Sequence, residues 1–320
     1  MSTEDNKAVI RRLFAGLDQK AMNRMLKRPL ASRSLVVIAM VALLGAVLAS
    51  TSAAAFVSQS PATQSDRSLQ AQSVFYTTSG AGTGLTNGAE IVAIAVTGRQ
   101  VSFKDIGPTF GGDCGSLALS PRGTLYSMCG SLFGVQQLAT IDRTTGRATL
   151  FGVPVSGLAV MALAFGPNGV LYAVGDCNPD PTTFECRPGS DPHYNSLFTV
   201  NVKTGAFTRV GATGAPQFFM DLTFDRDGHM LGVTSTVNPS ALPAILYRID
   251  PTTGKATKLV NLVGSNSVMG LAFGRDGQLY ATDNPQNPGL YLLDAETGFE
   301  TAIAAVPFGF SSDLVLVNPA

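Results

Sequence analysis

The stretch LAFGRDGQLYAT (271–282) decides the fold. It reads as two short runs of alternating apolar residues around a turn ending in Gly277, the pattern of a β-hairpin. The same hairpin occurs as LALSPRGTLYSM (117–128), LAFGPNGVLYAV (163–174) and LTFDRDGHMLGV (222–233). A second hairpin follows each copy: LATIDRTTGRATLFG (138–152), LFTVNVKTGAFTRVG (197–211), LYRIDPTTGKATKLV (246–260) and LYLLDAETGFETAIA (290–304). A degenerate copy, VAIAVTGRQVSFKDIG (92–107), precedes them all. One unit is therefore four strands, a to d. Its second turn falls at Gly98, Gly146, Gly205, Gly254 and Gly298, at intervals of 48, 59, 49 and 44 residues. A four-stranded unit recurring at roughly 40–50 residues marks the blade of a β-propeller.

The ends of the repeat give the blade count. The first copy opens with VFYTT (74–78), which matches strand b, and has no strand a before it. The last copy is followed by DLVLV (313–317), which matches strand a and has nothing after it. Pairing the C-terminal strand with the N-terminal strands completes one blade and removes two exposed sheet edges. The expected fold is all-β, a propeller of five four-stranded blades over residues 74–317, closed by its C-terminal strand.

The 320 residues carry 22 Lys+Arg and 22 Asp+Glu; 14% are charged, 45% are hydrophobic, and the mean hydropathy is +0.22. That composition excludes a disordered chain and a coiled coil. The balance of charge is a cancellation. Residues 1–55 hold 8 basic and 3 acidic residues, residues 56–320 hold 14 and 19. No basic footprint for nucleic acid is present in the repeat. Residues 1–55 pair a basic segment with the apolar run LVVIAMVALLGAVLAS (35–50) and with Ala53-Ala54-Ala55. They read as a signal peptide cleaved after Ala55, or as a membrane anchor over residues 35–57 if they are kept. Residues 56–73 read as a linker. Either way the repeat is expected outside the cytoplasm: secreted, periplasmic or at the cell surface.

The LAFGRDGQLYATD hairpin (271–283) resembles the repeats of NHL, YVTN and SMP-30/gluconolactonase-like propellers, over nearly all of residues 74–317. The resemblance is one of architecture, and a shared fold does not carry a shared function. Gluconolactonase-like propellers hold a divalent cation such as Ca2+ in the central channel, on carboxylate and Asn ligands at the innermost strands. Just before the strand-a Leu, this chain has Ser116, Ala162, Asp221, Gly270 and Asp313. One position earlier it has Gly115, Met161, Met220, Met269 and Ser312. Only Asp221 and Asp313 offer the oxygen that a hard cation requires, so the resemblance implies at most a two-carboxylate site.

Asp142, Asn201, Asp250 and Asp294 recur before the Thr-Gly turns and are expected to cap those turns, not to do chemistry. The four cysteines suggest disulfides in an exported chain. If Leu119 faces Thr124 across the first a–b turn, the same register sets Cys114 opposite Cys129. Cys177 and Cys186 would staple the longest b–c insertion, although other pairings are open. The b–c and d–a connections are long and variable, so function is expected on their face. Candidate ligand contacts there are Asp221, Asp313, Phe218, Phe219, Phe308, Phe310, His193 and Tyr194. No nucleophile elbow, zinc-protease motif or phosphate loop is present. The favoured expectation is an exported, non-catalytic, monomeric binding scaffold without a cofactor. Its partner would be a protein, peptide or glycan, with a membrane involved only if the leader is kept. A lactonase or hydrolase with a channel cation, and a membrane-tethered interaction protein, are the alternatives.

Overall fold

The computed structural model describes residues 72–79, 89–110, 112–131, 134–177, 195–235, 243–263, 267–283, 288–307 and 311–317. The chain divides into two compact units, Met1–Pro61 and Ala62–Ala320, and every described residue belongs to the second. The leader thus lies outside the described residues. Among those, no helix is long and apolar enough to cross a membrane.

The molecule is a five-bladed β-propeller. Blade I contains β1 (Ser73–Ser79), β2 (Glu90–Thr97) and β3 (Gln100–Pro108). Blade II contains β4 (Cys114–Leu119), β5 (Leu125–Gly130), β6 (Val135–Ile141) and β7 (Ala148–Leu150), with β8 (Val155–Ser156) also pairing with β6. Blade III is β9 (Leu158–Phe165), β10 (Leu171–Cys177), β11 (Ser196–Val200) and β12 (Phe207–Ala212). Blade IV is β13 (Phe218–Phe224), β14 (Met230–Ser235), β15 (Ile245–Ile249) and β16 (Ala256–Asn261). Blade V is β17 (Val268–Phe273), β18 (Leu279–Asp283), β19 (Gly289–Leu293) and β20 (Glu300–Ala305). The last strand, β21 (Ser311–Val317), returns to pair with β1 and gives blade I its inner strand, as the repeat arithmetic requires.

Burial explains why the four strands of a blade read differently. The second strand is buried on both faces, as in β14 and β18. The fourth is largely exposed, as in β16 and β20. No sheet has a core of its own. Five apolar clusters each span two neighbouring blades. One joins Leu117, Leu125 and Cys129 of blade II to Tyr76, Ile91 and Val317 of blade I. Another joins Phe75, Ile94 and Leu314 of blade I to Ala272, Tyr280 and Leu290 of blade V, and so seals the ring. Stability is therefore held in the interfaces, and each blade depends on the two beside it.

The repeated polar residues take the capping role expected of them. Asp142 Oδ1 accepts from the Thr144 and Thr145 amides at 2.8 and 3.0 Å, and Asn201 and Asp294 do the same in their turns. Hydrogen bonds from Thr252 and Thr253 hold the Asp250 carboxyl down at about 2. The glycines of these turns answer two demands. Gly146 and Gly254 have φ of 75° and 81°. A Cβ at either would also meet the main chain of the preceding blade, at the carbonyl of Gly107 or of Gly211. The turn glycine is thus also an inter-blade contact.

Cys114 and Cys129 form a disulfide across β4 and β5. The register that brings them together differs from the expected one. Leu119 pairs with Leu125, not with Thr124, and a bulge between Gly115 and Ala118 then shifts the pairing by one so that Cys114 falls opposite Cys129. The remaining proposed bridge, Cys177 to Cys186, involves residue 186, which lies outside the described residues.

Ring closure has a direct test. Deleting residues 311–320 removes the inner strand of blade I and strips Leu314 and Val317 from two inter-blade cores. The expected outcome is loss of the cooperative unfolding transition followed by circular dichroism. A truncated chain that melts at the parent temperature would refute closure.

Candidate functional site: the central channel

The inner strands β21, β4, β9, β13 and β17 contact one another in ring order and surround the channel. Each is an edge strand, so its inward-facing amides and carbonyls have no strand partner. Each also carries a bulge at the same height. The register shifts at Gly115/Ala118, at Val174/Gly175 opposite β9, at Phe219/Asp221, at Val268/Gly270 and at Tyr76/Thr78 opposite β21. The five residues that precede the strand-a Leu stand at this level. Two of them, Ser116 and Asp313, have positive φ of 62° and 68°.

Asp221 and Asp313 meet in the channel, and both are buried at 1% exposure. Both oxygens of Asp221 and Oδ2 of Asp313 accept hydrogen bonds. Asp221 Oδ1 accepts from the Leu222 amide at 2.7 Å. Its Oδ2 accepts from the Leu271 amide of blade V at 2.7 Å and the Leu314 amide of blade I at 3.1 Å. Asp313 Oδ2 accepts from the Ser116 amide of blade II and from the Thr78 hydroxyl. Burial, followed by the charge of Asp313, pushes the Asp221 carboxyl well above the usual carboxylate range, against the pull of its three amides. Gly270 fills the equivalent place in blade V because a Cβ there would meet the Asp313 main chain at 2.6 Å.

The polar ties continue around the ring. Gln136 of blade II holds the Val160 main chain of blade III from both sides, donating at 3.2 Å and accepting at 2.7 Å. Ser116 Oγ donates to the same Val160 carbonyl. Asn195, before β11, donates to the carbonyls of Ala215 and Gln217 on the way into β13. The Arg275 amide donates to Ser73 Oγ at 2.9 Å and links blade V to blade I. The repeat alone did not point to Ser116, Gln136 or Asn195.

The other candidates separate. Phe219 is a core residue at 1% exposure, packed edge-on against Tyr247 at 5.5 Å between ring centroids. It therefore presents no rim surface, whereas Phe218 remains half-buried. His193, Tyr194, Phe308 and Phe310 lie outside the described residues, as does much of the long-connection face. On the opposite face lies His229, in the a–b turn of blade IV. Its Nδ1 lies 2.8 Å from Asp225 Oδ2. Burial raises the Asp225 carboxyl, but the His229 amide, ring and charge together bring it below its ordinary value.

A cavity of about 710 Å³ opens on this tight-turn face. Its wall carries Leu119, Phe165, Phe224, Phe273 and Leu316, one from the end of each inner strand and all half-buried. Arg122, Arg143, Arg226 and Arg275 line it from the turns, with Asp225 the one acidic residue in the lining. These arginines were not among the sequence candidates, although PRG, DRDG and GRDG at the turn tips show three of them.

No family model matches this chain, and no curated protein matches it. Several solved structures are similar to it over part of its length. TolB from Acinetobacter baumannii is 14% identical with a TM-score of 0.45, over 74% of this chain and 54% of that one. The chain thus spans about half the length of TolB. A gluconolactonase from Xanthomonas campestris, XC5397, is 12% identical with a TM-score of 0.44, over 70% and 74% of the two chains. A chain of the nidogen/laminin complex is 10% identical with a TM-score of 0.46, over 78% and 99%. These likenesses concern the fold alone.

Two predictions follow from the buried carboxyls. Replacing Asp221 with Ala leaves three amides without an acceptor, at about 1–3 kcal/mol for each buried donor. Urea unfolding of Asp221→Ala should show a loss of at least ~3 kcal/mol; an unchanged midpoint would show that Asp221 does not tie the blades. The second prediction concerns Glu300 on β20. Burial, then the charge of Asp283, pushes its carboxyl up to about 8, and its Oε1 is buried without a hydrogen-bond partner. A raised folded-state value means that the folded chain keeps a proton the unfolded chain gives up. Its contribution to stability is whole below the unfolded value of 4.5 and is lost as pH rises towards about 8. Glu300→Gln should flatten the stability profile across that window and be the more stable form at pH 8, as read by urea midpoints. Parallel profiles would exclude the assignment.

Proposed function

We propose that this propeller is a non-catalytic binding protein that works outside the cytoplasm. The observation that carries the reading is the use to which the channel carboxylates are put. Both oxygens of Asp221 face amide hydrogens, and Asp313 Oδ2 faces an amide and a hydroxyl. A divalent cation needs those lone pairs, with oxygen ligands around it. It would instead meet the N–H groups of Leu222, Leu271 and Leu314. The donor set does not fit Ca2+, so no lactonase step is derived through it. The Cys114–Cys129 disulfide supports an oxidising compartment. The basic, apolar leader of residues 1–55 supports export. Binding to a rigid ring whose loops and turn tips differ from blade to blade is the function such an architecture serves best.

The test is calorimetric titration of the chelator-treated full chain with Ca2+, Mg2+, Mn2+ and Zn2+, paired with a lactone-hydrolysis assay. The expected outcome is no saturable heat abolished by Asp313→Ala and no turnover above background. Stoichiometric binding lost in Asp313→Ala, together with metal-dependent hydrolysis, would overturn this reading in favour of a channel-cation enzyme.

A further inference from the structure

We infer that the channel mouth on the tight-turn face is a binding site for a small organic anion that carries an apolar body. The inference deepens the binding reading above by giving it a place and a ligand class. It starts from charge. Residues 56–320 hold 14 basic and 19 acidic residues, yet four of those basic residues line this one cavity against a single acidic one. That acid, Asp225, is already engaged by the His229 ring and by the Asp227 and His229 amides. Asp276, in the neighbouring turn, accepts from the Tyr280 hydroxyl and the Gln278 amide. Asp225 and Asp276 are thus directed to their own hairpins, while the four arginines line the cavity.

Two of the arginines are held in place by neighbouring blades. Arg226 crosses from the turn of blade IV to that of blade V. There its Nη2 donates to the Arg275 carbonyl and its guanidinium lies over Gly277, where a Cβ would meet Nη1 at 3.2 Å. Arg143 stacks on the Tyr76 ring at 5.7 Å from its centroid. A guanidinium has five N–H donors, so the bond from Arg226 to the Arg275 carbonyl leaves donors that suit a carboxylate or phosphate. Side chains fixed before binding lose less freedom when an anion arrives.

Beneath the arginines lies the half-buried apolar ring of Leu119, Phe165, Phe224, Phe273 and Leu316. Phe165 and Phe224 pack on Tyr126 and Tyr172 of the preceding blades, so the ring is rigid. A volume of about 710 Å³ falls in the range of small-molecule sites. Charge outside and apolar surface inside select an amphiphilic anion oriented with its charged group at the mouth.

The probes are octanoate, 1-octanol and inorganic phosphate, each titrated calorimetrically into the full chain, its Arg226→Gln/Arg275→Gln variant and its Arg122→Gln variant. Octanoate should bind at least tenfold more tightly than octanol or phosphate, and more weakly as NaCl is raised. The double variant should lose at least tenfold in octanoate affinity. Arg122 is exposed, so Arg122→Gln should keep the parent melting temperature and bind octanoate several-fold more weakly even if the double variant fails to fold. Binding elsewhere on the chain cancels in these differences. Equal affinity for octanol would show a purely apolar site, and equal affinity for phosphate a purely ionic one; either overturns the inference, as does parent-like octanoate affinity in Arg122→Gln. A channel cation in the metal titration would end the non-catalytic reading and leave this result untouched.

Discussion

The ring depends on one constraint: inward-facing amides of its edge strands must find acceptors inside a narrow channel. A buried amide without a partner costs about as much as a hydrogen bond is worth, and often more. Asp221 answers this for three blades at once, by taking the amides of Leu222, Leu271 and Leu314. Asp313 does so for blade II through Ser116, and Gln136 carries the tie to blade III. The apolar clusters hold neighbours together but are not directional. The carboxylates fix the height at which the five inner strands meet.

That solution has a cost in charge. Two carboxyls buried in one channel repel, and burial disfavours ionising either. The raised position of Asp221 records the balance. Its protonated form is favoured in the folded chain, so its contribution to stability is present at low pH and is lost as pH rises past the ordinary carboxylate range. Glu300, in blade V, adds to the same slope. The expected pH profile therefore differs from that of a protein held by exposed ion pairs, whose stability falls as carboxylates are protonated.

The hairpins, the blade count and the closing strand were legible in the sequence because each repeats or completes a repeated pattern; the Cys114–Cys129 bridge was reached through a register that the sheet keeps only beyond the bulge. The bulges were not. A bulge adds one residue to a strand without disturbing the apolar alternation on either side of it, so LALSPRGTLYSM reads as a regular hairpin. Its true register, with Leu119 opposite Leu125, became visible only in the sheet. The spread of Ser116, Ala162, Asp221, Gly270 and Asp313 at one position suggested a partial metal site. The structure adds two uses for that position: Asp221 and Asp313 take main-chain amides of other blades, and Gly270 leaves room for the main chain of residue 313. Phe219 misled for a similar reason: adjacency to a variable connection does not show which face of β13 it occupies.

The same logic separates architecture from recognition on the tight-turn face. In the a–b hairpins the turn Gly recurs in every copy, at Gly123, Gly169, Gly228 and Gly277, and all four have positive φ. The residues before it do not recur: Pro121-Arg122, Pro167-Asn168, Arg226-Asp227 and Arg275-Asp276. A turn of this kind tolerates most residues at those places, so folding does not demand arginine there. Folding does explain the ring of large apolar residues beneath them, which seals the blade interfaces. Arg226 and Arg143 reach across to the Arg275 carbonyl and the Tyr76 ring, so their placement also serves the ring; the exposed Arg122 is the one whose place at the mouth is better explained by the proposed anion.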